Sequence, residues 1–184
     1  MSDENLLILF SGGADSVLML EMALAIKYKP LCLLIDYNQL HKIELEYAVN
    51  YLNNKKIPFE TFKLDILTNS GLTGNGTKGT FQKVHSHYVP GRNTMFVAIG
   101  ASIAESRKID TLWLGADYSD KENLFPDCTQ DFIYKANKLT HISGSIPIRV
   151  EAPLLGLTKE NVMKLLEYFK VDLTTIFSGY GDFK

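Results

Sequence analysis

The chain has 184 residues, of which 46% are hydrophobic and 22% are charged, with a formal net charge of −2. This composition fits one globular domain with a sizeable core and lacks the basic face that general nucleic-acid binding requires. No apolar run is long enough for a membrane span, and the acidic start MSDENLL does not resemble a secretory signal. From charge and hydropathy we therefore expect neither nucleic acid nor membrane as a partner. The two cysteines, Cys32 and Cys128, form no C-x-x-C pair, so we expect a reduced cytoplasmic protein without a disulfide framework.

The first half of the chain alternates apolar runs with helical segments. The run LLILF at 6–10 predicts a fully buried strand. A helix, a second buried strand, another helix and a strand toward a sheet edge are then predicted over 16–27, 30–37, 42–55 and 58–64. Residues 67–88 are rich in Gly, Thr, Ser and Asn without apolar periodicity, which predicts a long loop of the kind that is functional or mobile.

The second half continues the same alternation. Helices are predicted over 94–106, 131–141 and 158–169, strands over 110–116 and 146–154, and a polar loop over 118–128. Thr158 is the expected N-cap of the last helix. The pattern predicts an α/β fold, a parallel sheet with helices on both faces, as a single domain over 1–184. Ligands of such sheets bind beyond the carboxyl ends of the strands.

The segment FSGGADSVLML lies between the first predicted strand and the first helix. Its two glycines let the backbone turn sharply and bring N–H groups close to an anion, and the following helix points its positive end at the same place. The hydroxyls of Ser11 and Ser16 add donors. Asp15 fits beside phosphates if it binds a Mg²⁺ held by them or caps the loop backbone. The pattern favours a phosphate-binding loop over a plain turn between strand and helix.

This loop is neither G-x-x-x-x-G-K-[ST] nor G-x-G-x-x-G, which excludes a kinase-type phosphate loop and a dinucleotide fingerprint. It matches S-G-G-x-D-S after a buried strand. In this it resembles the PP-loop of the ATP pyrophosphatase superfamily, whose members adenylate an oxygen of their substrate and release pyrophosphate. The resemblance implies an adenine nucleotide alpha hydrolase-like, Rossmann-like fold.

Four further stretches resemble elements of the 7-cyano-7-deazaguanine synthases. They are IDYNQLHKIELEYA at 35–48, YVPGRNTMFVAIGASIAE at 88–105, LGADYSDKENLFPDCTQDFI at 114–133 and APLLGLTKENVMKL at 152–165. With the loop they make five matches in the same order over residues 5–178, which is far more specific than any one of them.

That family makes 7-cyano-7-deazaguanine from 7-carboxy-7-deazaguanine, ammonia and ATP, on the way to queuosine and other deazaguanines. The resemblance implies that the substrate carboxylate attacks the α-phosphate of ATP and that ammonia then displaces AMP to give an amide. A second activation removes the amide oxygen. The chain would thus be a ligase forming C–N bonds, with ATP and Mg²⁺ as its cofactors.

The resemblance also implies roles for residues. Catalytic roles would fall to Ser11, Asp15, Arg92 and Lys159. The Arg92 fork suits a phosphate or a carboxylate, and Lys159 lies at a helix start, where a positive charge is unfavourable unless an anion is near. The ATP-binding residues would be Phe10, Ser11, Gly12, Gly13, Ala14, Asp15, Ser16, Val17, Leu18, Met19, Leu20 and Asp36. The substrate-binding residues would be Arg92, Asn93, Asp117, Asp120 and Asp127, with one aspartate accepting two N–H bonds from the amidine edge of the base.

The sequence departs from the family at a structural zinc site. The family usually has a cysteine in an S-C-Y element and three more in a C-x-x-C-x-x-C cluster, whereas here Gly179 takes the first position and the sequence ends at Lys184. We therefore expect no zinc. His85 and His87 lack further ligands, so no metal site is predicted there, and no residues are predicted to bind a metal apart from the phosphate-held Mg²⁺ considered for Asp15. The family tendency is a homodimer, and the sequence leaves the assembly open.

Two other functions stay open at this stage. A related PP-loop ligase would stop at the amide or act on another base; a tRNA-thiolating enzyme would normally need a catalytic cysteine pair and a basic face, and neither is visible. The other alternative is a non-catalytic or regulatory protein that binds ATP through the loop without turnover. The presence of Arg92 and Lys159 argues against this alternative. The expected partners are a small deazapurine and ammonia.

Overall fold

The computed structural model describes residues 4–37, 43–64, 89–116 and 125–176. The predicted loop over 67–88 and most of the polar loop over 118–128 lie outside them. The elements in chain order are β1 (Leu6–Leu9), α1 (Ala14–Ala25), β2 (Pro30–Asp36), α2 (Ile43–Lys55), β3 (Phe59–Lys63), α3 (Arg92–Arg107), β4 (Thr111–Trp113), α4 (Gln130–Ser143), β5 (Arg149–Glu151), α5 (Lys159–Tyr168) and a 3-10 turn (Leu173–Thr175).

The strands form one parallel sheet in the order β3-β2-β1-β4-β5. The chain first extends the sheet from β1 through β2 to the edge strand β3. It then returns to the other side of β1, where Leu7 pairs with Leu112 of β4. This reversal opens a crevice between the carboxyl ends of β1 and β4, the position at which open parallel sheets bind ligands.

Helices cover both faces of the sheet. Leu6 and Ile8 of β1 pack with α1, α2 and α5, whereas Leu7 packs with α3 and α4. The central strands are buried on both faces, which is why they are continuous apolar runs in the sequence. The predicted fold class, a parallel sheet covered on both faces, is confirmed.

Side chains of α4 cover the backbone of the edge strand β5. Asn137 donates from Nδ2 to the Val150 carbonyl at 2.6 Å and accepts from the Val150 N–H at 2.9 Å, as a neighbouring strand would. Thr140 Oγ1 donates to the Ile148 carbonyl at 2.7 Å. These bonds occupy backbone groups that could otherwise pair with another chain.

Two element bounds differ from the prediction in ways that matter below. α1 begins at Ala14 rather than at 16, so Asp15 and Ser16 belong to its first turn. β5 covers only Arg149–Glu151 of the predicted 146–154, because the prolines on either side of it have no N–H for the ladder. In the described part of the chain, no helix combines the length and the apolar character needed to cross a bilayer.

Candidate active site

The loop between β1 and α1 requires glycine at position 12. Gly12 has a φ of +83°, and a Cβ placed on it would lie 2.8 Å from the Cβ of Ala48 in α2. A side chain would therefore be strained by the backbone conformation and would also clash with α2. Glycine at this position therefore lets α2 pack directly against the turn, and Gly12 itself is buried.

The two serines of the loop have different surroundings. Ser16 is buried; its Oγ accepts from the Gly12 N–H at 3.0 Å and donates to the Gly13 carbonyl at 2.9 Å. Ser11 is exposed, and its Oγ accepts from the Gly13 N–H and donates to Ser16 Oγ, both at 3.3 Å. Bonds of that length are near the outer limit. Ser11 is thus the hydroxyl that a ligand can reach, and Ser16 shapes the turn beneath it.

The first turn of α1 lines a cavity of about 260 Å³ beyond the carboxyl ends of the strands. Its N-cap is Gly13, which has no side chain to accept a hydrogen bond from the helix. The first N–H groups of a helix have no carbonyl partner within it, and its dipole favours negative charge there. The start of α1, with the exposed Ser11 hydroxyl beside it, fits a pyrophosphate group.

Asp15 and Lys159 form an ion pair at this helix start. Lys159 Nζ lies 2.9 Å from Asp15 Oδ1 and 2.7 Å from Oδ2. The pair is partly exposed, with 38% of the lysine side chain and 31% of the aspartate side chain accessible. The anion that the sequence required near Lys159 is thus Asp15 itself. A carboxylate beside phosphates suits Mg²⁺, which is usually held by one or two carboxylates together with substrate phosphates, and an ammonium suits phosphate directly.

Lys159 is placed by the cap of its own helix. Thr158 Oγ1 accepts from the Asn161 N–H at 3.2 Å, and Asn161 Oδ1 accepts from the Thr158 N–H at 3.2 Å. These reciprocal bonds form a capping box. The predicted N-cap is confirmed.

The opposite wall of the cavity comes from β2, α2 and α3. Arg92, the first residue of α3, lines it together with Tyr37, Glu44 and Phe96. The rings of Tyr37 and Phe96 lie 5.4 Å apart between centroids at 59°. One cavity therefore holds the anion-binding turn, a guanidinium and an aromatic wall.

Tyr37 and Glu44 are absent from the sequence-based candidates. Burial raises the pKa of the Tyr37 phenol; the charge and hydrogen bond of Arg92 lower that pKa, and the charge of Glu44 raises it. Arg92 and Glu44 thus both act on the Tyr37 hydroxyl. A signal was present, since Tyr37 directly follows the apolar run of β2 and both residues lie in the stretch IDYNQLHKIELEYA.

Asp127 and Asn93 bond to each other. Asp127 Oδ2 accepts from the Asn93 backbone N–H at 3.3 Å, and Asn93 Nδ2 donates to the Asp127 carbonyl at 3.2 Å and to Cys128 Sγ at 3.4 Å. Because Asn93 is the second residue of α3, the Asp127 carboxylate caps that helix. Asn93 also lines the cavity, whereas Asp127 is not among its lining residues. The substrate role of Asp127 stays a prediction, beside the helix-capping contact that the structure shows. The substrate role of Asn93 stays a prediction.

The ATP-binding set needs one correction. Val17, Leu18, Met19 and Leu20 have no exposed surface and pack in the core between α1 and the sheet, so their side chains cannot contact a nucleotide. Asp36 ends β2 and is not among the residues that line the cavity, whereas Ile35 and Tyr37 on either side of it are.

Two of the candidate aspartates, Asp117 and Asp120, lie outside the described residues, as do His85, His87 and Gly179. Within the described ranges, no group of three or more His, Cys, Asp or Glu side chains is arranged to hold a metal ion. Cys128 is buried, in agreement with its prediction as a packed thiol.

A glycine-containing turn after β1 that faces an arginine across the crevice of an open parallel sheet is the arrangement expected of a PP-loop ATP pyrophosphatase fold. The NH3-dependent NAD synthetase from Campylobacter jejuni superimposes with a TM-score of 0.58 at 14% identity, covering 95% of this chain and 68% of that chain. The U34-tRNA thiolase NcsA from Methanococcus maripaludis gives 0.58 at 14% identity, covering 92% and 59%. At such identities the likeness concerns the fold alone.

Sequence comparison narrows this class to one family. The family model of Queuosine biosynthesis protein QueC matches residues 5–184. The 7-cyano-7-deazaguanine synthase of Prochlorococcus marinus subsp. pastoris is 34% identical, over 98% of this chain and 86% of that relative. The chain belongs to the QueC family. The predicted resemblance and the prediction of a C–N bond-forming enzyme are confirmed by this membership.

Proposed function

We propose that the protein makes 7-cyano-7-deazaguanine from 7-carboxy-7-deazaguanine and ammonia, with ATP and through an adenylated intermediate. The observation that carries this proposal is the shared cavity, in which the Ser11–Ser16 turn and Arg92 face the same space. A nucleotide phosphate and a substrate carboxylate bound to these two groups would meet there. Bringing them together is the main requirement of adenylation.

The proposed reaction has two ATP-dependent activations. Carboxylates are poor electrophiles, so a carboxylate oxygen first attacks the α-phosphate and pyrophosphate leaves. Ammonia then adds to the acyl carbon and AMP departs, which gives the amide. In the second activation the amide oxygen attacks another ATP, and loss of AMP with protons leaves the nitrile.

The residues of the cavity would supply binding and charge for these steps. The turn at Ser11–Ser16 and Lys159 would hold the departing pyrophosphate, with Mg²⁺ held between the phosphates and Asp15. Arg92 would bind the carboxylate and stabilise charge on the α-phosphate. The expected setting is the cytoplasm, with small-molecule substrates, no nucleic acid and a homodimer as one possible assembly.

The test is a product analysis. The protein is incubated with Mg-ATP, ammonium and 7-carboxy-7-deazaguanine, and the products are followed by mass spectrometry. Nitrile together with AMP supports the proposal. Amide alone means that the enzyme stops halfway, and bound ATP without AMP above background means a non-catalytic ATP-binding protein.

Replacing Asp15 tests the metal and phosphate role. We expect Asp15→Ala to abolish AMP formation while the fold stays intact, because a partly exposed ion pair contributes little to stability. Circular dichroism checks the fold and the mass-spectrometric assay checks turnover. The control is Asp131→Ala on α4, whose carboxylate is 69% exposed and pairs with Lys135. Unchanged turnover in Asp15→Ala would remove Asp15 from the mechanism.

A further inference from the structure

We infer that Glu44 is a specificity residue, which accepts hydrogen bonds from the N1–H and 2-amino edge of the deazaguanine substrate while the ring lies against Tyr37 and Phe96. This inference rests on the proposed function and adds to it the part of the site that recognises the base.

The position of Glu44 places its carboxylate at the aromatic wall. Glu44 belongs to the first turn of α2, is half-buried and lines the cavity. Among the described residues, the carboxylates lining this cavity are those of Glu44 and Asp15. Asp15 is bonded to Lys159 at the phosphate end, so Glu44 is the one placed at the base end.

The shape of the cavity fits a flat ring. Tyr37 is 9% exposed and meets Phe96 at an angle, and the floor is made of apolar residues of the sheet: Leu33, Ile35 and Leu114. Aromatic rings bind other rings in such stacked or tilted arrangements. The cavity has a volume of about 260 Å³, which includes the space beside the Ser11–Ser16 turn. Its aromatic end is the part that suits a flat bicyclic base.

The hydrogen-bonding chemistry of a carboxylate selects a guanine-type edge. An ionised carboxylate only accepts hydrogen bonds. The deazaguanine edge offers two adjacent donors, N1–H and the 2-amino group, which a carboxylate can bind with both oxygens. Adenine instead presents an amino donor beside the acceptor N1, which would face a carboxylate lone pair. Glu44 therefore fits the deazapurine better than the adenine of ATP.

The charges of the cavity match the two ends of this substrate. 7-Carboxy-7-deazaguanine carries a carboxylate on its five-membered ring and the donor edge on its six-membered ring. Arg92 from α3 suits the former and Glu44 from α2 the latter. The two charged groups come from different elements on the same wall.

The test compares two substrates that differ by one group. They are 7-carboxy-7-deazaguanine and its analogue without the 2-amino group, for which kcat/KM is measured by AMP release and Kd by calorimetry. The wild-type protein should prefer the amino compound by roughly 10- to 100-fold, the range for a hydrogen bond to a charged group. Glu44→Gln should lose most of this preference and leave the KM for ATP unchanged.

Two further variants separate recognition from general damage. Glu46→Gln changes an exposed carboxylate in the same turn of α2 and should leave both substrates and ATP unaffected. Phe96→Leu should weaken both substrates by the same factor, because it alters the ring contact and not the edge. If Glu44→Gln fails to fold, Glu44→Asp is the alternative. Its side chain is one methylene shorter, so the carboxylate keeps its charge but lies farther from the base, and part of the preference for the 2-amino compound should be lost.

Each outcome decides the matter. Full preference in folded Glu44→Gln overturns the inference, and so does a rise in the KM for ATP without a change for the deazapurine. A wild-type protein that makes neither amide nor nitrile would refute the proposed function instead. In that case the calorimetric preference for the 2-amino compound still tests Glu44.

Discussion

Asp15 and Lys159 lie 144 residues apart in the chain, yet their charged groups meet at 2.7 Å. Exposed ion pairs of this kind contribute little to stability, so the pair can open at small cost when phosphates arrive. For the proposed function, the position of this ion pair at the start of α1 therefore matters more than its contribution to stability. Under the proposed function, an ammonium held at this helix start is already positioned for a nucleotide phosphate.

Lys159→Gln tests this positioning at the scale of one residue. We expect the rate of AMP formation to fall by roughly 10²- to 10³-fold, as when one preorganised donor to a developing charge is removed, with little change in thermal unfolding. The matched control is Lys164→Gln in the same helix, whose ammonium is 67% exposed and pairs with Glu160. Equal effects of the two variants would argue against a phosphate contact.

Single residues also show where sequence reasoning reaches its limit. Lys159 was proposed because a cation at a helix start needs an explanation, and Arg92 because of the family resemblance and the bidentate geometry of its guanidinium. The structural role of Asp127 could not, because its partner Asn93 lies 34 residues away and no local pattern announces that bond. Glu44 was missed because what places it in the site is the packing of α2 against the cavity.

At the scale of elements, two helices begin with a cation for which a functional role is proposed. Arg92 is the first residue of α3 and Lys159 the first of α5, although helix dipoles disfavour positive charge there. Each helix start is secured by a cap that does not involve the cation. Arg92 lines the cavity, and Lys159 is bonded to Asp15, which lines it as well. A bound anion would offset the unfavourable charge at both helix starts.

Two N-cap variants measure how much the cap of α5 contributes to turnover by positioning Lys159. Thr158→Ala removes the cap of α5, and Thr129→Ala removes that of α4, where Thr129 Oγ1 accepts from the Phe132 N–H at 3.1 Å. Each should lower the free energy of unfolding by about 1 kcal/mol, measured by urea denaturation. Turnover should fall in Thr158→Ala alone, since only that cap holds Lys159. A loss of turnover in both variants would point to general destabilisation.

Asp127→Asn separates helix capping from base recognition. Asn remains a good capping residue, so stability should fall by less than about 1 kcal/mol, and the preference for a 2-amino deazapurine should be unchanged. Asp127→Ala should destabilise more, by roughly 0.5 to 2 kcal/mol, and weaken both substrates alike through the displaced start of α3. If Asp127→Asn abolished the preference for the 2-amino group, Asp127 would be the base reader after all.

At the scale of the whole molecule, strand identity and parallel direction follow from the sequence because doubly buried strands are continuous apolar runs. The order of the strands does not follow from these runs. The order depends on the chain returning from β3 to the other side of β1, where β4 pairs. No local pattern in the sequence indicates this return. The crevice could be located in general terms, at the carboxyl ends, but its walls required the packing of α2 and α3.

Asn137→Ala tests how the molecule protects its sheet edge. Both side-chain bonds to Val150 would be lost, so the free energy of unfolding should fall by roughly 1 to 3 kcal/mol, and self-association should rise because the β5 edge becomes available for pairing. Denaturation and light scattering measure the two effects. Lys138→Ala on the exposed side of α4 is the control; aggregation at the same level in both variants would contradict an edge-specific role.

The contact of Gly12 with Ala48 has a wider consequence. Ala48 lies one helical turn after Glu44, on the same face of α2. Helix α2 therefore contacts the Ser11–Ser16 turn through Ala48 and lines the aromatic end of the cavity through Glu44. No room is left for even a methyl group between Gly12 and Ala48, so a displacement of α2 at Glu44 would also move the contact at Gly12. With ATP and the deazapurine bound as proposed, we expect each to change the affinity for the other by the same factor.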